Sequence, residues 1–161
     1  MISLIRYLHQ AHWAVVMYGS LLTILAAFGS RKLNMVLLPF YLVFIAMMTL
    51  LYREMGAGRL NLTLFWSYRR FLSSPYLRME IINNIWLFVP LGAFLYKLIP
   101  RWYVVFIPVM VSAAVEITQY VFDVGLCELD DIVSNGLGGL IGAAVSWGIS
   151  SIWKYCRCRP G

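Results

Sequence analysis

Charge is what this sequence has least of. Only 12% of its residues are charged and 61% are hydrophobic, where a soluble domain carries roughly 25% charged residues. A water-exposed fold of 161 residues has no interior large enough for that much apolar surface, so a soluble globule is excluded. Negative charge is scarcer still, with seven Asp and Glu against 13 Lys and Arg. The net charge of +6 is no nucleic-acid signal, because the basic residues flank apolar runs, where they serve as headgroup anchors and topology signals. Histidine is almost absent: His9 and His12 both precede the first long apolar run. The three cysteines are Cys127, Cys156 and Cys158. The last two are too close for an ordinary structural disulfide, no zinc spacing appears, and all three read as free thiols. A Gly-rich phosphate loop and a Ser/His/Asp arrangement are also missing. No cofactor and no metal centre is therefore expected.

What is present is a series of apolar runs long enough to span a hydrocarbon core, which needs about 20 helical residues. Five spans are predicted: Trp13 to Ser30, Leu33 to Tyr52 with Pro39 inside, Ile81 to Ile99, Trp102 to Phe122 with Pro108, and Ile132 to Trp153. Ala27-Phe28-Gly29 resembles a signal cleavage site. The long run before it and the single Arg6 ahead favour a retained membrane helix. Arg31-Lys32, Pro100-Arg101 and a turn around Gly125 make short connections, which give antiparallel neighbours. The sequence thus reads as one all-α, polytopic helix bundle over residues 1–161. Between spans two and three, Arg53 to Glu80 mixes Arg53, Arg59, Arg69, Arg70 and Arg78 with Phe65, Trp66, Tyr68, Phe71 and Tyr76. That composition suits an amphipathic loop on the membrane surface against anionic headgroups; the alternative is a plain solvated loop.

The few polar residues are patterned. Ser112, Glu116, Gln119 and Asp123 fall at i, i+4, i+7 and i+11, and Asp131, Asn135, Gly138 and Gly142 repeat that spacing. Each set lines one helical face. With five spans, Asn83 and Asn84, Glu116 and Gln119, and Asp131 and Asn135 all fall at the same end of the bundle, beneath the basic loop. A carboxylate within a lipid-facing helix costs about 2.5–3.5 kcal/mol on insertion scales, so these residues are expected to face a polar pocket. Basic residues in the short connections of the opposite side favour an external pocket and a cytoplasmic C-terminus.

Each constellation also has a plainer reading. Glu116 and Gln119 handle a ligand or proton; otherwise they are interhelical glue, with Gln119 and Asn135 bonded to one another and Glu116 paired to an arginine. Glu128, Asp130 and Asp131 complement or cap the start of the fifth span, pair with loop arginines, or bind a cationic group or metal ion. Pro90 removes a helical hydrogen bond and frees the carbonyl of Trp86, which kinks the helix beside Asn83 and Asn84. Gly138 and Gly142 permit close helix approach.

Taken in order, these residues resemble the VanZ-like membrane proteins of bacteria. The resemblance rests on Asn61-Leu62-Thr63-Leu64-Phe65, on Asn84 with Phe88-x-Pro90-Leu91-Gly92, on Ser112, Glu116 and Gln119, and on Glu128, Asp131, Asn135, Gly138 and Gly142. It covers most of the chain from Asn61 onward. Leu64 stands where proline is common, Glu128 where aspartate is usual, and the arginine common around the positions of Gly125 and Cys127 is missing. The resemblance implies a multi-pass protein of the bacterial cytoplasmic membrane, in a family whose founding member is associated with resistance to teicoplanin, a lipid-bearing glycopeptide.

Two functions are carried forward. In the first, the protein binds an amphiphilic or lipid-linked envelope ligand, such as a lipoglycopeptide, and affects teicoplanin susceptibility. Asn61, Asn84, Glu116, Gln119, Asp131, Asn135, Arg69 and Arg70 would bind that ligand within the lipid bilayer, with no nucleic-acid partner. In the second, it is an intramembrane enzyme acting on a lipid-linked substrate, with Glu116 and Asp131 as acid–base pair. The oligomeric state is not encoded in any pattern found here.

Overall fold

A computed structural model describes residues 2–51 and 59–157, with side chains for 13–50 and 60–157. Arg53 of the basic loop and Cys158 lie outside the described residues. Helix α1 spans Ile2–Phe28 and α2 spans Arg31–Ala46, running into a π-helical turn, Met47–Leu51. A short strand β1 (Arg59–Asn61) and a one-turn helix α3 (Trp66–Arg69) precede α4 (Pro75–Leu98). A 3₁₀ turn, Trp102–Val105, leads into α5 (Phe106–Val121); β2 (Leu126–Glu128) then opens α6 (Leu129–Arg157).

Four of these helices are long and apolar enough to cross a membrane, and the shorter apolar stretch Trp13–Phe28 of α1 joins them. The protein is a multi-pass, mostly helical membrane protein. Exposed Trp13, Trp102 and Trp153 sit near the ends of the apolar runs, where amphipathic rings favour the membrane interface.

Helix boundaries follow local chemistry. Ser30 caps α2 by accepting the N–H of Leu33, and Ser74 caps α4 by accepting that of Leu77. Pro75 then sits at the first helical position, which needs no donor. This start places the beginning of α4 six residues before the span read from hydropathy, and it takes Glu80 out of the loop and onto the helix. Pro108 falls in the first turn of α5, where a missing N–H leaves no intrahelical bond unmade. Next to Pro90, the buried Tyr41 hydroxyl donates to the Leu87 carbonyl across helices at 2.7 Å.

The core is centred on α4, whose stretch from Leu87 to Leu95 is buried throughout. Helix α6 crosses it at very short range. A β-carbon on Gly142 would run into the carbonyl oxygen of Val89, and one on Gly138 into that of Ile85. Residues 85 and 89 on one helix thus meet 138 and 142 on the other, so backbones touch where side chains would otherwise stand. Further along, Ser146 donates to the Ala93 carbonyl.

Residues 59–74, ahead of α4, form regular elements. Strands β1 and β2 pair in parallel, with Arg59 opposite Leu126, Leu60 opposite Cys127 and Asn61 opposite Glu128. This ladder and α3 lie at the end of the bundle where α4 and α6 start and α5 finishes.

Candidate functional site

Four elements bring carboxylates together at that end. Helix α4 supplies Glu80, α5 supplies Glu116, β2 supplies Glu128, and α6 supplies Asp130 and Asp131. Glu116, Glu128, Asp130 and Asp131 are each at most 4% exposed. Carboxylates are this deeply buried only when hydrogen-bonded or paired, and the structure shows how.

Asp130 is a clamp. Its Oδ1 accepts the backbone N–H of Phe65 at 2.6 Å, and its Oδ2 accepts the backbone N–H of Ser67 at 2.8 Å and the Ser67 hydroxyl at 2.6 Å. Of the two aspartates offered as caps of the fifth span, Asp130 turns its carboxylate to the start of α3 instead. Phe65 adopts a left-handed conformation, φ 61°, which costs a non-glycine residue roughly 1–2 kcal/mol. Charge-assisted bonds from Asp130 offset that strain. One turn on, Ser134 donates to the Asp130 carbonyl, so the Tyr68 hydroxyl, 2.8 Å away, is the donor to Ser134. Burial raises the Tyr68 phenol above its ordinary range, and the charges of Asp130 and Asp131 raise it further.

Glu128 and Glu116 are held by the ladder. Glu116 Oε2 accepts the Glu128 backbone N–H at 2.9 Å, and Asn61 Nδ2 donates to Glu128 Oε1 at 3.0 Å. Asn61 also accepts the Thr63 N–H, so a single amide joins the turn after β1 to the acidic strand. One oxygen each from Glu80, Glu128 and Asp131 lies within 4.8 Å of the others. Glu80, Asn83, Glu116 and Asp131 are engaged in further interactions within the protein. The thiol of Cys127 registers the same crowding: it is pushed up by burial, and then by the charges of Glu116, Asp131 and Glu128.

Gln119 and Asn135 do not satisfy one another, as one reading of the sequence had it. Gln119 Nε2 donates to the Thr49 carbonyl, where the π-turn ends α2. Asn135 Nδ2 donates to Ser112 Oγ across the α5–α6 seam. The oxygens Gln119 Oε1 and Asn135 Oδ1 have no hydrogen-bond partner, nor does Asn84 Nδ2. Asn84 follows Glu80 by one turn on α4, on the same face. Asp123 leaves the polar stripe: α5 has ended by Val121, and Asp123 is exposed in a left-handed turn, φ 55°.

The structure therefore brings Asn61, Glu116 and Asp131 to one centre, with Asn135 and Asn84 a turn deeper and Gln119 a turn nearer the end of α5. Arg69 at the end of α3 and Arg70, which caps it, are exposed, outside the centre but tethered to it through Asp130. Arg70 lies over the Trp66 ring at 5.2 Å. Around them Leu62, Leu64, Phe65, Leu72 and Tyr76 are exposed, the surface expected of an interfacial segment. Glu80 and Ser67 were missed in the sequence. For Glu80 the signal was available, because Glu80 and Asn84 share the i, i+4 spacing of the other stripes. For Ser67 there was none.

An apolar hollow of about 250 Å³ opens between α1, α2 and α4, lined in part by Tyr18, Gly19, Tyr41, Phe44, Met48 and Trp86. Met48 adjoins Thr49, the acceptor of Gln119. Trp86 lies six residues beyond Glu80, roughly 9 Å along the helix.

The family model described as VanZ/LLP1 matches residues 38–153, more than half of the chain, which therefore belongs to that family. The match takes in β1, α3 and every residue of the acidic centre. No curated protein and no solved structure matches.

Proposed function

We propose that this VanZ/LLP1 membrane protein binds an amphiphilic, lipid-linked envelope ligand at one face of the bacterial cytoplasmic membrane, and that binding affects susceptibility to lipoglycopeptides such as teicoplanin. The observation that carries this reading is the Asp130 clamp on α3, which ties an arginine- and aromatic-rich surface element to a buried acidic centre. Arg69 and Arg70 would meet the anionic part of a headgroup. Glu116, Asp131, Asn61 and the neighbouring amides Asn84, Gln119 and Asn135 would take its donor-rich part. The adjoining hollow has the lining an acyl chain needs.

The enzymatic reading draws less support. Glu116 Oε2 already accepts the Glu128 N–H, which fixes the carboxylate to a turn, whereas an acid–base group must reach substrate.

The test is to purify the full chain and its Glu116→Ala variant from bacterial membranes and to identify the co-purifying lipids and envelope precursors by mass spectrometry. One amphiphile enriched with wild type and lost from an equally abundant variant is expected. Identical lipid profiles would remove the reading.

A further inference from the structure

The acidic centre gathers more oxygen acceptors than its sequence suggested, and they come from separate elements. Glu80 on α4, Glu128 on β2 and Asp131 on α6 each place one carboxylate oxygen within 4.8 Å of the other two. Oxygen ligands stand about 2.0–2.6 Å from magnesium, manganese or calcium, so a pair on opposite sides of one ion is about 4–5 Å apart. Three oxygens within 4.8 Å of one another are close enough to converge on a single ion.

A second observation, independent of the carboxylates, points the same way. Asn135 is 3% exposed, and its Oδ1 has no partner. It follows Asp131 by one turn of α6, and side chains on a helix lean back over the preceding turn. Asn135 is thus aimed toward Asp131, with its amide nitrogen held at 2.8 Å by Ser112 on α5, and that anchor turns the oxygen away from Ser112. An unsatisfied buried carbonyl oxygen is costly. A hard cation is the species that satisfies carboxylates and an amide oxygen together.

We propose that Glu80, Glu128 and Asp131, with the side-chain oxygen of Asn135, bind one divalent cation of the magnesium, manganese or calcium class. The other contacts at this site then have a role. Asn61 donates to Glu128 Oε1 and steadies that carboxylate, and Glu116 accepts the N–H of the strand residue that carries it. The ion ties α4, α6 and the β1–β2 ladder into one unit. This inference stands apart from the amphiphile reading, because its probe is the metal alone.

The experiment uses the full chain purified in detergent and stripped with EDTA. Thermal unfolding is followed by tryptophan fluorescence with increasing Mg²⁺, Mn²⁺ or Ca²⁺. A saturable rise in melting temperature of about 5 °C or more is expected with at least one of them. The rise should vanish in Asp131→Asn and Glu128→Gln and persist in Asp123→Asn, which alters an exposed acid outside the cluster. No rise in wild type, or an undiminished rise in Asp131→Asn, overturns the site. Should the cluster variants not fold, electron paramagnetic resonance of wild type with Mn²⁺ decides. One bound ion per chain, displaced by Mg²⁺ or Ca²⁺, supports the site, and none bound refutes it. Asn135→Asp supplies the last discrimination. A fourth carboxylate should tighten Mn²⁺ binding severalfold if Asn135 is a ligand, and weaker binding rules that role out.

Discussion

Helices α4 and α6 are joined twice, by opposite means. In the middle of the bundle Gly138 and Gly142 admit the α4 backbone so closely that a single methyl group would collide with it. At the polar end the same pair is joined through carboxylates, hydroxyls and amides: Glu80 approaches Asp131, and Asp130 and Ser134 reach out to α3. The first contact is made by shape and has no charge to tune. The second is made by charge and leaves oxygen atoms without partners. Lipid offers no hydrophobic drive for helices to associate, so the glycine seam has to supply close packing. With its packing provided there, the acidic end is free to be costly. A site that is costly to build and not needed for packing is where function is sought.

That contrast can be broken experimentally, and the largest effect should come from the seam. Gly142→Leu adds four carbons where the Val89 carbonyl already leaves no room. Overpacking costs typically about 1–3 kcal/mol and more when backbone is in the way. The folded protein recovered from membranes should fall sharply, as measured by size-exclusion chromatography in detergent. Gly138→Leu should behave alike. Normal recovery of both would show that the helices separate easily and that the polar end holds them together.

Asp130→Ala should come next. It removes one carboxylate and three hydrogen bonds, at roughly 1.5–3 kcal/mol for a bond to a charged group, and leaves the strain at Phe65 uncompensated. The bundle should still assemble, with α3 released. Limited proteolysis should then cut between residues 62 and 74 while the rest of the chain remains intact. Equal resistance in wild type and variant would remove Asp130 as the clamp.

Glu116→Gln should be smaller in stability and larger in function. The amide oxygen still accepts the Glu128 N–H, so abundance should change little. On the proposed function, ligand retention and any shift in teicoplanin susceptibility should both be lost. An unchanged phenotype at normal abundance would make Glu116 a structural residue of the turn.

The smallest effect concerns Cys127. Burial and the charges of Glu116, Asp131 and Glu128 hold its thiol above the ordinary range. Its protonated form is therefore favoured by folding. The associated stability is complete below the ordinary thiol range and lost as pH rises through the higher folded value. Alkylation of Cys127 should accelerate at higher pH than alkylation of the exposed Cys156. With a membrane-impermeant maleimide in intact cells, Cys127 should label and Cys156 should require permeabilisation. The reverse pattern would place the acidic centre at the cytoplasmic face.

Much of the fold was legible because membrane helices declare themselves locally. Every long apolar run became a helix, and the spacing of Ser112, Glu116 and Gln119 gave the buried face of α5. The same spacing gave Asp131, Asn135, Gly138 and Gly142 on α6, all buried. Periodicity names a face without naming what stands opposite. Gln119 found the Thr49 carbonyl, not Asn135, because a π-turn ends α2 at that height. Strands β1 and β2 are three residues each, too short for alternation to show. Glu80 was assigned to the loop because the apolar run begins at Ile81, whereas Ser74 and Pro75 start the helix earlier through capping, to which hydropathy is blind.

The β1–β2 ladder carries a consequence for how the molecule is made. Asn61 and its acceptor Glu128 are 67 residues apart. A ribosome adding about 5–20 residues per second needs roughly 3–13 s to cover that distance. Through that interval α4 and α5 enter the membrane while β1 and the start of α3 are already synthesised and still lack their acceptors. The acidic centre therefore closes late in synthesis, when the first residues of α6 arrive and Asp130 finds α3. The segment that carries β1 and α3 thus waits for its acceptors until the start of α6 has been made.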